Sequence, residues 1–250
     1  MRTFTIRDDH PSEMGRREKL KIQHHYLSMF VASALFTSGA FADIYSDPVG
    51  DIATGNRNLD ITSVEMTHNG SDLLVTITVD LLDADWGKYM VFMDFGDNFQ
   101  GNFGAPDNNN PWARNVSGHA GFDAFTGIWL DDNGGGMSQH SFTGGSWAEN
   151  YTSPLVNIDY GANSFTLGYM DYVYYLQNYG VTEIGFEVGT TGGNVGDPAI
   201  DLLGNEDVQF GWGHGSSITD LQYFTIPAPG ALALLGLAGL AGLAGRRRRR

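Results

Sequence analysis

The chain has 250 residues, a formal charge of −15, 34 glycines and no cysteine. Without cysteine there is no disulfide framework and no thiol chemistry. The acidic balance argues against nucleic acid and anionic membrane surfaces as partners. The charge is also uneven. Residues 43–245 hold 25 acidic residues against three basic ones (Arg57, Lys88 and Arg114), a formal charge of −22. Divalent cations, or solubility in a salty medium, are the natural reasons for such a surplus.

Residues 1–42 read as a signal peptide. Arg16, Arg17, Lys19 and Lys21 form its charged front, and residues 26–39 form its apolar stretch. Ala40, Phe41 and Ala42 supply a small-x-small cleavage site, so the mature chain is expected to start at Asp43. The apolar stretch falls short of the ~20 residues that span a bilayer. Met14 is an alternative start to Met1, because the front that follows it is a more ordinary one.

Residues 43–226 are long enough for one domain with a sizeable core. Their periodicity is that of strands. Residues 59–66 and 74–79 alternate on either side of Asn69-Gly70, a preferred pair for a tight hairpin turn, with Val75, Ile77 and Val79 on one face. Residues 89–94 carry little polarity on either face, which predicts a central strand. A loop is expected over 96–118, a strand over 121–130, and a glycine-rich loop over 131–146. Further strands are expected at 155–160, 164–170, 182–188, 208–212 and 221–226. One short helix is predicted over 171–179, with Asp171 as N-cap and Gly180 beyond its end. The fold class is all-β: an antiparallel β-sandwich, jelly-roll or immunoglobulin-like, with one short helix. A signal helix is expected before it and a transmembrane helix after it.

Three constellations could carry chemistry. Asp47, Asp51 and Asp60 surround a Gly/Asn-rich loop, residues 47–60, that offers carboxylate, amide and carbonyl oxygens of the kind calcium takes. EF-hand spacing is absent, and the plainer reading is that Asp and Asn make turns here. Trp112 and Trp147 fall in expected loops, where an exposed indole could stack on a sugar ring; capping of the core is the alternative. Glu183 and Glu187 are spaced to share one face of a strand. The stretch 183–187 resembles the E-x-D-x-E signature of a sandwich family of glycoside hydrolases, but Gly185 replaces the middle carboxylate. Residues i and i+4 of a strand are about 13 Å apart at Cα, well beyond the ~5–5.5 Å carboxyl separation of retaining enzymes. Two solvent-facing glutamates are the expectation. The histidines show no metal-ligand spacing.

The chain closes on Pro227-Ala228-Pro229, then fifteen residues (231–245) made only of Ala, Leu and Gly, then Arg246, Arg247, Arg248, Arg249 and Arg250. As a helix the apolar block rises roughly 22 Å against a hydrocarbon core of about 30 Å, a short span with its arginines on the cytoplasmic side. This tail resembles the PEP-CTERM protein-sorting signal of Gram-negative bacteria, with alanine where that family usually has glutamate. The resemblance implies an exosortase-type protease as partner and passage through the inner membrane. It also implies delivery to the outer surface or the extracellular matrix. An ordinary single-pass anchor is the alternative and has the same topology.

Residues 47–51, the 59–79 hairpin, 89–94, 184–188 and 197–201 together resemble DOMON-like modules, related to some carbohydrate-binding modules and to the C-terminal domain of glucodextranase. That resemblance implies surface ligand binding, often of sugar and sometimes with calcium, and no catalysis. The domain organisation expected is therefore signal (1–42), sandwich (43–226) and sorting tail (227–250). The function expected is a non-enzymatic surface module binding extracellular polysaccharide, with calcium as the one cofactor to consider. A glycan-cleaving enzyme on Glu183 and Glu187, and a purely structural matrix protein, are the alternatives.

Overall fold

The computed structural model describes residues 41–226, apart from 97–98, 100–103, 107–109, 119–120, 132–133 and 205–210. The expected signal and sorting helices lie outside the described residues, as do Pro227, Ala228, Pro229 and Arg246 to Arg250. Among the described residues no helix is long and apolar enough to cross a membrane.

Two antiparallel sheets carry the domain. The first takes β1 (Phe41–Ser46), β2 (Ile61–His68), β3 (Leu73–Val79), β9 (Asn157–Asp159) and β10 (Ser164–Tyr169), in the order β1-β2-β3-β10-β9. The second takes β4 (Lys88–Asp94), β6 (Ala124–Trp129), β7 (Gly136–Thr143), β8 (Ser146–Ser153), β11 (Glu183–Thr191) and β12 (Ala199–Leu202), in the order β12-β11-β4-β6-β7-β8. A last strand, β14 (Gln222–Thr225), pairs with the first half of β11, so β12 and β14 divide one edge between them. Two short strands, β5 (Val116–Ser117) and β13 (Ser216–Ser217), form a separate parallel pair.

The alternation in the sequence decides which side chains meet between the sheets. Val64 and Met66 of β2, Val75 and Ile77 of β3, and Phe165 and Leu167 of β10 point inward from the first sheet. Tyr89, Val91 and Met93 of β4, with Ile184, Phe186 and Val188 of β11, meet them from the second. The other face of β4 is apolar too. Met90 and Phe92 pack with Phe122, Phe125, Leu202 and Ile218 in a second cluster, roofed by the segments on either side of β5 and β13. β4 is thus buried on both faces and central in its sheet, as its composition predicts.

Local readings differ from the expectation at several places. The β2–β3 connection is a four-residue loop, because His68 pairs with Leu73. Asn69 Oδ1 accepts from the backbone N–H of Ser71 (3.0 Å) and Asp72 (2.9 Å), and this side-chain turn replaces the two-residue hairpin. The stretch 131–146 is mostly strand. β7 and β8 form a hairpin joined by Gly144-Gly145, both at positive φ (62° and 89°), and the glycines that suggested a long loop mark a tight turn instead. The helix, α1 (Tyr172–Asn178), stands where expected and ends on Gly180 at φ 76°. Asp171 precedes it but makes no side-chain cap; the Val173 N–H donates instead to the Ser71 carbonyl at 2.8 Å. β12 falls in a stretch with no strand expectation, and the 208–212 expectation falls largely outside the described residues.

The inter-sheet core should set stability. Phe165 is fully buried and its ring lies 4.6 Å from that of Tyr89. Phe165→Ala is expected to cost about 3–5 kcal/mol, read as a fall in the urea midpoint with the slope unchanged.

Candidate functional site

An acidic centre lies where the two sheets meet at the β1–β2 and β12 edges. Asp47 follows β1 and is tied by its N–H to the Thr62 carbonyl (3.1 Å). Asp51 lies on the loop beyond it, and Asp60 immediately precedes β2. Asp201, in the middle of β12, is fully buried. One carboxylate oxygen from each of Asp47, Asp51 and Asp201 lies within 4.8 Å of the others. Asp60 stands beside them. Its Oδ2 accepts from the Gly50 N–H at 2.8 Å and so folds the 47–51 turn back on itself. Asp201 Oδ2 accepts from the Ile61 N–H at 2.6 Å, across the gap between the sheets. Thr190 Oγ1 donates to the Leu59 carbonyl (2.6 Å) close by. The loop is therefore stitched to the second sheet.

Both oxygens of Asp47, both of Asp51 and Oδ1 of Asp60 are buried without a hydrogen-bond partner. The ion pairs among the described residues, Arg57 with Asp80 and Lys88 with Asp131, do not involve the cluster. Burial, then the neighbouring charges of Asp201, Asp51, Glu187 and Asp60, pushes Asp47 up to about 9. Burial pushes Asp201 up to about 7 against the pull of the Ile61 N–H, and Asp51 and Asp60 are raised as well. The sequence reading thus has two of three cluster members, Asp47 and Asp51. Asp60 holds the loop instead, and Asp201 is the member it missed. Only the topology, which sets β12 beside the start of β2, brings Asp201 there.

Glu183 and Glu187 do not behave as two solvent-facing glutamates. Glu183 is exposed at the start of β11. Glu187 is 1% exposed, and its carboxylate accepts from the N–H groups of Val188 (2.8 Å) and Gly204 (3.0 Å). Burial raises it to about 8. At Glu187 the outer face of β11 is covered by Gly204, which the local sequence of β11 does not announce.

The tryptophans are also redistributed. Trp112 sits in a left-handed turn with its ring against the backbone of Gly127, where a Cβ would come within 2.8 Å, and with the Arg114 guanidinium over it. Trp147 is half-buried edge-on against Phe125 and Phe142. Trp86 and Trp212 are instead the exposed pair, each 43% accessible, with ring centroids 5.7 Å apart. Together with Asn194 and Asp197 they line a shallow hollow of about 430 Å³. Ala42 and Asp43 lie exposed on the edge strand β1, paired with Thr67 and Met66.

At the other edge of the sandwich, a cleft of about 510 Å³ opens between β6, β7 and α1. Phe95, Phe99, Phe125, Tyr172 and Tyr175 give it aromatic walls, and Asp123, Gln139 and Asn150 add polar groups. Asp123 Oδ2 accepts from the Phe95 N–H at 2.8 Å, while Oδ1 is buried without a partner. Burial, with help from Asp94, raises Asp123 to about 7. A raised folded pKa means that the native state holds this proton longer than the unfolded chain. The associated stability is full below about pH 4 and is lost as pH rises through about 7. Asp123→Asn keeps an acceptor for Phe95 but does not ionise. Its melting temperature relative to the parent should therefore climb over that interval, checked by thermal melts of both proteins across the pH series.

Residues 225–249 match the PEP-CTERM protein-sorting motif. No curated protein matches the chain at a significant level. The matched segment begins within β14, at Thr225, so the sorting tail follows directly from the last strand of the sandwich. The motif is that of an exported, surface-sorted protein processed at the membrane, for which an exosortase is the partner.

Proposed function

We propose that the chain is a non-enzymatic module that binds extracellular polysaccharide at the outer surface, or in the extracellular matrix, of a Gram-negative bacterium. Its apolar tail crosses the inner membrane transiently, with the arginines inside, until the sorting protease acts. The observation that carries the binding reading is the exposed Trp86–Trp212 pair beside Asn194 and Asp197. Indole faces left in water gain by stacking on the C–H face of a sugar, and carboxylate and amide groups alongside can bond its hydroxyls. A neutral glycan suits this surface best, because a net charge of −22 over residues 43–245 repels an acidic one. The state of Glu187, buried and spent on the Gly204 backbone, supports the non-enzymatic reading over glycan cleavage.

The chain purified in detergent should bind neutral glycans on an array without releasing reducing ends. Trp86→Ala and Trp212→Ala should each weaken binding on the order of tenfold, with unchanged melts. Reducing-end release abolished by Glu187→Gln would transfer the case to the enzyme. Absence of binding across the array would favour a structural matrix role. In the exporting cell, mass spectrometry of the surface form should find residues 1–42 missing and the 246–250 arginines removed.

A further inference from the structure

We propose that Asp47, Asp51 and Asp201 ligate one calcium ion, and that this ion fastens the loop between β1 and β2 to β12. The inference is independent of the polysaccharide reading. Five carboxylate oxygens of Asp47, Asp51 and Asp60 are shut from water with no donor facing them. Asp47 is 7% exposed and Asp60 2%, so solvent does not compensate them. Buried carboxylates without donors are either protonated or bound to a metal.

The geometry fits a single ion. Calcium holds oxygens at about 2.3–2.6 Å, so two ligands on opposite sides of it stand about 5 Å apart. The oxygens of Asp47, Asp51 and Asp201 fall inside that limit in every pairing, at 4.8 Å or less. The donor set selects the ion. It is all carboxylate oxygen on an irregular loop and a strand, without imidazole or thiolate, which suits a hard cation. Three carboxylates drawn from two chain segments favour calcium over magnesium, which keeps most of its water.

The chain positions make the ion a cross-link. Asp47 and Asp51 belong to the connection leaving β1, and Asp201 belongs to the edge strand of the other sheet. Asp60 is a positioning residue, since its bond to the Gly50 N–H sets the turn that carries both loop ligands. The charged groups around the site are Glu187, held by Gly204, and Arg57, held by Asp80. Arg57 is engaged elsewhere, so the ion is the available counter-charge.

The test uses the full chain in detergent, stripped with chelator and titrated with calcium chloride in a calorimeter. One site per chain is expected, with a Kd on the order of 10⁻⁴ M or tighter, as for extracellular calcium modules. The melting temperature should rise with calcium and much less with magnesium. Asp201→Asn and Asp51→Asn should abolish the calcium response, and Asp60→Asn should weaken binding about 10- to 100-fold. Asp47→Asn should melt higher than the parent in chelator yet gain nothing from calcium, a pair of signs that a merely structural residue would not give. Asp51 is the least buried ligand, so Asp51→Asn remains informative if the others fail to fold. No heat and no shift in melting temperature at ten times that concentration would overturn the proposal. So would an affinity unchanged in Asp51→Asn.

Discussion

The constraint on which the domain depends is the enclosure of like charge where its sheets are joined. Asp47, Asp51, Asp60 and Asp201 converge where the β1–β2 connection of the first sheet lies against β12 of the second. Two unit charges 4 Å apart repel by about 4 kcal/mol at an effective dielectric of 20, so several together are untenable unless neutralised. Protonation is one way out, and the raised positions of Asp47 and Asp201 express it. A divalent cation is the other, and it turns the same repulsion into a tie between segments distant in sequence. In a domain without disulfides, such a tie does part of the work that a covalent staple does in other exported proteins.

The rest of the architecture is what hairpins with strict alternation dictate. β2, β3 and β10 each present one apolar face, and β4 and β11 are covered on both, so the centre of the second sheet is an inner layer. That is why the exposed aromatics are informative. The fold packs Trp112 and Trp147 against its outer cluster, whereas Trp86 and Trp212 stay 43% accessible at the surface. The C-terminal motif gives this surface a setting, since it is the motif of an exported protein processed at the membrane.

Much of this was legible in the chain itself. Alternation marked β2 and β3 and the inward face of β3, β10 fell within an expected strand, and the apolar run of β4 marked its central place. The tail was legible outright, because its chemistry is local: prolines, an apolar block and arginines in order. What stayed hidden depends on contacts across long separations. Gly144-Gly145 reads equally well as a loop or as a two-residue turn until β7 and β8 pair. Asp171 looks like a cap until the Ser71 carbonyl takes the helix N–H. Asp201 lies in a stretch with no strand expectation until β12 is laid beside Ile61, and Glu187 looks solvent-facing until Gly204 closes over it.

The most direct measurement is anomalous diffraction from crystals grown with calcium and soaked with terbium, which takes calcium's oxygen ligands. The account predicts one strong peak about 2.3–2.6 Å from carboxylate oxygens of Asp47, Asp51 and Asp201. It would be contradicted if the peaks lay elsewhere while those three carboxylates kept their places, bridged by protons or water.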